Sequence, residues 1–230
     1  MAEERHFVRY AFYKAGPAWR RLPDNQRRAG SAEFLGVVES FADDMMVRSY
    51  NLQGTRGDVD FMLWQATRRL ETVQELAIKL ATTGLGRYLT TPHSYLAMTR
   101  RSPYVDDHRH GGQETPGLAP HPRGSNYLFV YPFVKTRQWY LEGKERRQAM
   151  MNKHFEIGHK YPSVKINTGY SFGLDDQEFV VAFETDAPGD FLDLVAELRE
   201  TEASLYTLRD TPIFTCVRMD LKDVLDSLAL

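Results

Sequence analysis

The feature that most narrows the choice of fold is a weak internal repeat. Phe7-Val8-Arg9-Tyr10-Ala11-Phe12-Tyr13-Lys14 reads like Phe129-Val130-Tyr131-Pro132-Phe133-Val134-Lys135, with Tyr10, Phe12 and Lys14 aligned on Tyr131, Phe133 and Lys135. Trp19 and Trp139 follow within one residue of that offset, and Arg27-Arg28 and Arg146-Arg147 come next, each opening a helix-like stretch. Asp60-Phe61-Met62-Leu63-Trp64 then matches Glu178-Phe179-Val180-Val181-Ala182, and both are strand-like. Each half closes with an amphipathic helix, Leu70–Thr83 and Asp190–Thr201. The order is strand, helix, strand, strand, helix, strand, which is the split βαβ unit written twice. A four-stranded sheet with both helices on one face leaves the other face bare, and two such sheets in one chain bury those faces against each other. The apolar run between Glu178 and Glu184 suits a strand covered on both sides. The expected fold class is α+β: tandem ferredoxin-like halves forming a dimeric α+β barrel within one chain. Residues 1–99 make the first half, 100–126 an inter-half loop and 127–230 the second half.

The loop Arg100–Asn126 is rich in Pro, Gly, His and charge and has no helical or strand periodicity. A loop of that length is either a solvated linker or a lid over a pocket. It carries His108, His110 and His121, three of the seven histidines. Composition then limits the chemistry. In 230 residues, 29 Lys and Arg stand against 31 Asp and Glu, so nucleic acid and anionic membranes are not expected partners. No run reaches the roughly 18–20 apolar residues of a membrane span, and Met1–Tyr10 has no apolar signal core. Cys216 is the only cysteine, which excludes an intramolecular disulfide and any multi-cysteine metal site. A cytoplasmic protein is the expectation. Gly84-Leu85-Gly86 follows a helix without a phosphate-binding lysine and reads as a helix cap, and Gly173-Leu174-Asp175-Asp176 reads as a turn.

Two clusters could carry chemistry. The spacing predicts a helix over Lys144–Lys160, on which Met150, His154, Ile157 and Gly158 share one face. His154 there is either a core histidine bonded to a carbonyl or an axial ligand to a metal or haem, since a neutral imidazole on a rigid apolar face suits that task. The other cluster is the strand bearing Tyr131, Phe133 and Lys135, which alternate onto one side, with Trp139 just beyond. A buried ammonium is costly unless an anion meets it. Lys135 therefore either awaits a carboxylate-bearing ligand or reaches the rim.

From Tyr127 to Phe214 the segments YPFVKTRQWYL, MMNKH, GLDDQEFVVAFE and LRDTPIF resemble the chlorite dismutase-like haem proteins, which include the coproheme decarboxylases, and the resemblance extends over essentially the whole chain. It implies tandem ferredoxin-like subunits assembled as homopentamers, with iron held by one second-half histidine, here His154. The intervals of 19 residues from Lys135 and 15 from Trp139 fit that pattern. The first-half counterpart of that histidine falls near Glu33 or Phe34. By the resemblance, the porphyrin, haem b or coproheme, lies against His154, Lys135, Phe133, Trp139 and Asn167. True chlorite dismutases carry an arginine where this chain has Asn167, and usually lack a tyrosine at the Tyr131 position. The resemblance thus implies peroxide-dependent oxidative decarboxylation of Fe-coproporphyrin III to haem b, with Tyr131 as the oxidised residue and Lys135 beside a propionate. Chlorite dismutation and non-catalytic haem binding are the alternatives. A distal histidine from the inter-half loop, His110 or His121, has no clean counterpart.

Overall fold

The computed structural model describes residues 5–104, 120 and 122–229. Its strands are β1 (Phe7–Ala15), β2 (Met46–Asn51), β3 (Phe61–Thr67), β4 (Leu89–Met98), β5 (Tyr127–Lys135), β6 (Lys165–Tyr170), β7 (Phe179–Thr185), β8 (Thr207–Arg209) and β9 (Phe214–Arg218). Its α-helices are α1 (Pro17–Arg20), α2 (Asp24–Glu39), α3 (Leu70–Thr82), α4 (Arg137–Leu141), α5 (Lys144–Gly158), α6 (Pro188–Arg199) and α7 (Leu221–Ala229). Short 3₁₀ turns, Gly86–Tyr88 and Glu202–Tyr206, lead into β4 and β8. The residues fall into two packed units, 1–98 with 214–230, and 99–213. His108, His110 and most of the inter-half loop, and also His121, lie outside the described residues.

In the first unit β1 pairs antiparallel with β3 and β4, β3 with β2, and β2 with β9. In the second, β5 pairs with β7 and β8, and β7 with β6. The spatial order of the four repeat strands is the same in both: fourth, first, third, second. All seven residues of β3 are buried, the apolar Phe61–Trp64 together with Gln65, Ala66 and Thr67. α3 turns Val73, Leu76 and Leu80 onto its sheet at helical spacing. α6 starts with Pro188 in its first turn and Asp190 near its N-terminus, which suits both the backbone and the dipole there.

The C-terminal strand and helix pack with the first unit. Val224, Leu225 and Leu228 of α7 join Trp19, Phe34 and Phe61 in one buried cluster, and the Trp19 indole donates to the Leu228 carbonyl at 2.9 Å. Within this unit Phe34 fills the space between α2 and the sheet, edge-on to Tyr13 and Phe61. Gly30 brings α2 against the turn after α3: a Cβ there would meet the Leu85 nitrogen at 2.8 Å and the Gly84 carbon at 2.9 Å. Only a residue without a side chain allows that approach.

Candidate functional site

Paired backbone bonds fix how the two halves correspond. Gly16 N–H donates to the Tyr88 carbonyl at 2.8 Å, and Thr136 N–H to the Tyr206 carbonyl at 2.7 Å. Ala15 N–H meets the Asp60 carboxylate at 2.9 Å, and Lys135 N–H meets that of Glu178 at 2.8 Å. Trp19 thus corresponds to Trp139, Ala15 to Lys135 and Ala11 to Tyr131. Phe34 and His154 are each the eleventh residue of their helix. The alignment of Tyr10 and Lys14 with Tyr131 and Lys135 is one residue out of step, and on a strand one residue is the other face. Lys14 pairs with Asp60 at 2.7 Å, whereas Lys135 occupies the opposite side of its strand, where the first half has alanine.

On β5, Phe129, Tyr131, Phe133 and Lys135 face α5 and α6. Tyr131 is buried, stacks on Phe183 at 5.9 Å between centroids, and belongs to the cluster of Ile157 and Leu194. Its hydroxyl makes no hydrogen bond to a described residue. Burial, aided by the Asp210 carboxylate and opposed by Arg199, pushes its pKa well above 10. The covering thins toward β6: Phe133, Val181, Phe179 and Tyr170 are half-buried and Thr168 is exposed on this face.

His154 stands on α5 between Met150 and Ile157, both buried, while its own ring is half-buried and has no hydrogen-bond partner among the described residues. Burial and the neighbouring Lys135 ammonium push its pKa down to about 4, so it is a neutral imidazole at ordinary pH. Lys135 Nζ donates to the Ala203 carbonyl at 2.8 Å and lies 4.6 Å from the Trp139 ring and 5.3 Å from that of Phe133. It forms no ion pair with a described residue. Burial draws its pKa down to about 8 against the pull of Glu178. Trp139 is buried with Met150 and Ala203.

The structure therefore brings Tyr131, Phe133, Lys135, Trp139 and His154 to one side of the second sheet. It does not bring Asn167 there. The register pairs Asn167 with Ala182, and Ala182 with Val130, so Asn167 points to the other face, where its amide donates to Glu184 at 2.9 Å. Thr168 takes the near side. Glu178 is a residue the sequence reading passed over as a strand end. It accepts from Lys135 N–H and, at 2.6 Å, from the Tyr140 hydroxyl. Its match to Asp60 in the repeat was the available signal.

The second half also lacks the first half's closures. Met150 replaces Gly30, each the seventh residue of its helix, and Ala203 replaces Leu85. A recess of about 210 Å³ lies between α5 and the turn after α6, lined by Arg146, Ala149, Met150, Lys153, Thr201 and Glu202. Among the described residues no group of three or more His, Cys, Asp or Glu gathers to hold a metal ion. An iron beside His154 would take most of its ligands from something other than the chain. A neutral imidazole, half-buried aromatic walls and an ammonium without a carboxylate fit an acid-bearing iron porphyrin.

The family model described as chlorite dismutase matches residues 27–219. The chain belongs to the chlorite dismutase family. It is 32% identical over 180 residues to a coproheme decarboxylase of Mycolicibacterium smegmatis, covering 78% of this chain and 75% of that protein. A mutant chlorite dismutase from Candidatus Nitrospira defluvii superposes with a TM-score of 0.90 at 26% identity, covering 98% of this chain and 96% of the other. A haem-binding protein from Thermus thermophilus gives a TM-score of 0.83 at 25% identity over 98% and 95% of the two chains. No helix among the described residues is long and apolar enough to cross a membrane.

Proposed function

We propose that the chain is a coproheme decarboxylase, converting Fe-coproporphyrin III to haem b with hydrogen peroxide. The observation that carries this reading is that Phe34, Ala15 and Ala11 of the first half correspond to His154 on α5 and to Lys135 and Tyr131 on the face of β5 turned toward that helix. The relative named coproheme decarboxylase supports it. In this reading the halves are ferredoxin-like parts of one α+β barrel, and the protein is a cytoplasmic homopentamer.

The iron porphyrin supplies the redox chemistry when bound, and is itself the substrate. Each propionate loses carbon dioxide, a proton and two electrons; the electrons, with that proton and one more from solvent, reduce one peroxide to two waters. His154, unprotonated and held on a rigid helix, offers its nitrogen to the metal. Lys135 keeps its proton near neutrality and meets a carboxylate, which removes the cost of its burial. Tyr131 keeps its phenolic proton throughout the physiological range, so it gives up a hydrogen atom rather than a proton. A carboxyl arm held by Lys135 along the strand from that phenol is positioned for reaction. Asn167, turned to the other face, places no cation over the site, in contrast to the arginine expected of a chlorite dismutase.

Reconstitution with ferric coproporphyrin III, followed by peroxide and mass spectrometry, tests the proposal. The Soret band should form in the wild type and change in His154→Ala. Two successive carboxyl losses should follow and disappear in Tyr131→Phe. Unaltered turnover in that variant refutes the assignment. Sustained oxygen release from chlorite would instead favour the dismutase reading that the structural likeness suggests. A Soret band with neither reaction would leave haem binding alone.

A further inference from the structure

We infer that Tyr206 is where an oxidising equivalent reaching Trp139 comes to rest, with Glu142 as the base that takes the phenolic proton. Trp139 is 3% exposed, and its nearest tyrosine ring is that of Tyr206, edge-to-face at 5.4 Å between centroids; Tyr104 stands at 6.3 Å. The Tyr206 hydroxyl donates to Glu142 Oε1 at 2.9 Å. This bond raises the phenol pKa, so the proton stays until an electron leaves and then has a direct acceptor. Lys135 Nζ, 4.6 Å over the Trp139 ring, favours a neutral indole and opposes positive charge on it. An indole that has lost an electron is therefore pressed to recover one. Tyr206 supplies the electron and Glu142 receives the proton, leaving intact Trp139, a neutral phenoxyl radical and a protonated carboxyl. Charge and atoms balance.

The first half gives the control. Trp19 and Tyr88 occupy the same places at 5.8 Å, so the aromatic pair belongs to the shared frame. Leu22 stands where Glu142 does, and the Trp19 N–H is tied to the Leu228 carbonyl. The base and the ammonium occur only in the half that carries His154. Tyr140 has a carboxylate too, but its ring contact is Phe172 rather than Trp139. The arrangement would drain stray oxidising equivalents to the half-buried Tyr206 instead of leaving them on the indole.

The inference relies on the proposed function only for the source of the oxidant, peroxide with a bound iron porphyrin. Pulse radiolysis of the porphyrin-free protein, with the azide radical as one-electron oxidant of indoles, tests the step itself. The indolyl band should decay as the phenoxyl band rises, in a phase independent of protein concentration. Tyr206→Phe should abolish that phase, Tyr88→Phe should leave it, and Glu142→Gln should slow it about tenfold or more. An unchanged rate and yield in Tyr206→Phe overturns the inference, as does a loss in Tyr88→Phe equal to that in Tyr206→Phe. A Soret titration of the same samples reports separately on porphyrin binding. Transfer without binding would uphold the relay and refute the proposed source, and binding without transfer would do the reverse.

Discussion

Replacing Lys135 by methionine should flatten one particular segment of the protein's stability curve. Burial draws the ammonium from an ordinary 10.5 to about 8 in the folded chain. At about 1.36 kcal/mol for each pH unit, that gap amounts to about 3.4 kcal/mol, and solvent reaching the half-buried stem reduces it to roughly half. The folded value lies below the unfolded one, so between those two pH values the unfolded chain binds the extra proton, and stability rises with pH. Below about pH 8 the whole cost is present; by pH 10.5 it has gone. Urea unfolding of wild type and Lys135→Met without porphyrin, across that window, should show the difference in free energy moving in the wild type's favour by about 1.5–2 kcal/mol. A constant difference, or one moving the other way, would refute the claim that this lysine is buried without its anion. The same substitution should weaken porphyrin binding, because the bound carboxylate is what stabilises the charge.

Three further outcomes test the packing. Gly30→Ala should lower stability by about 1–3 kcal/mol in denaturant unfolding, since its Cβ strikes backbone, whereas Gly36→Ala, with nothing within 4 Å, should raise it by about 0.5–1 kcal/mol. Leu225→Ala, in a buried position of α7, should cost about 2–5 kcal/mol.

Much of the fold was readable because the order of elements repeats and Gly and Pro mark their ends. The run from Lys144 forms a helix that ends at Gly158, and the strand expected at Glu178–Glu184 occupies Phe179–Thr185. Residue likeness misled at one point. Three identical residues drew Tyr10, Phe12 and Lys14 onto Tyr131, Phe133 and Lys135, while the backbone bonds set the frame one place away. Identity of type carries no information about face; register does. Asn167 was misplaced for the same reason, since matching it to the family's arginine ignores how the turn after α5 delivers β6. The return of Phe214–Leu230 to the first unit left no local trace either, because a strand and an amphipathic helix at the chain's end look alike wherever they dock. Glu178 shows the opposite case, since its match to Asp60 was in view but its hydrogen bonds required three dimensions.

The Gly30 contact sets a limit on any attempt to give the protein a second centre by copying. Transplanting an imidazole to position 34 and an ammonium to position 15 would supply the chemical groups yet no slot between them, because that helix is clamped backbone to backbone upon the turn beneath it. On the proposed function, the duplicate halves differ at a spacer as much as at a ligand: one keeps a bare hydrogen and stays shut, the other carries a thioether and stands ajar.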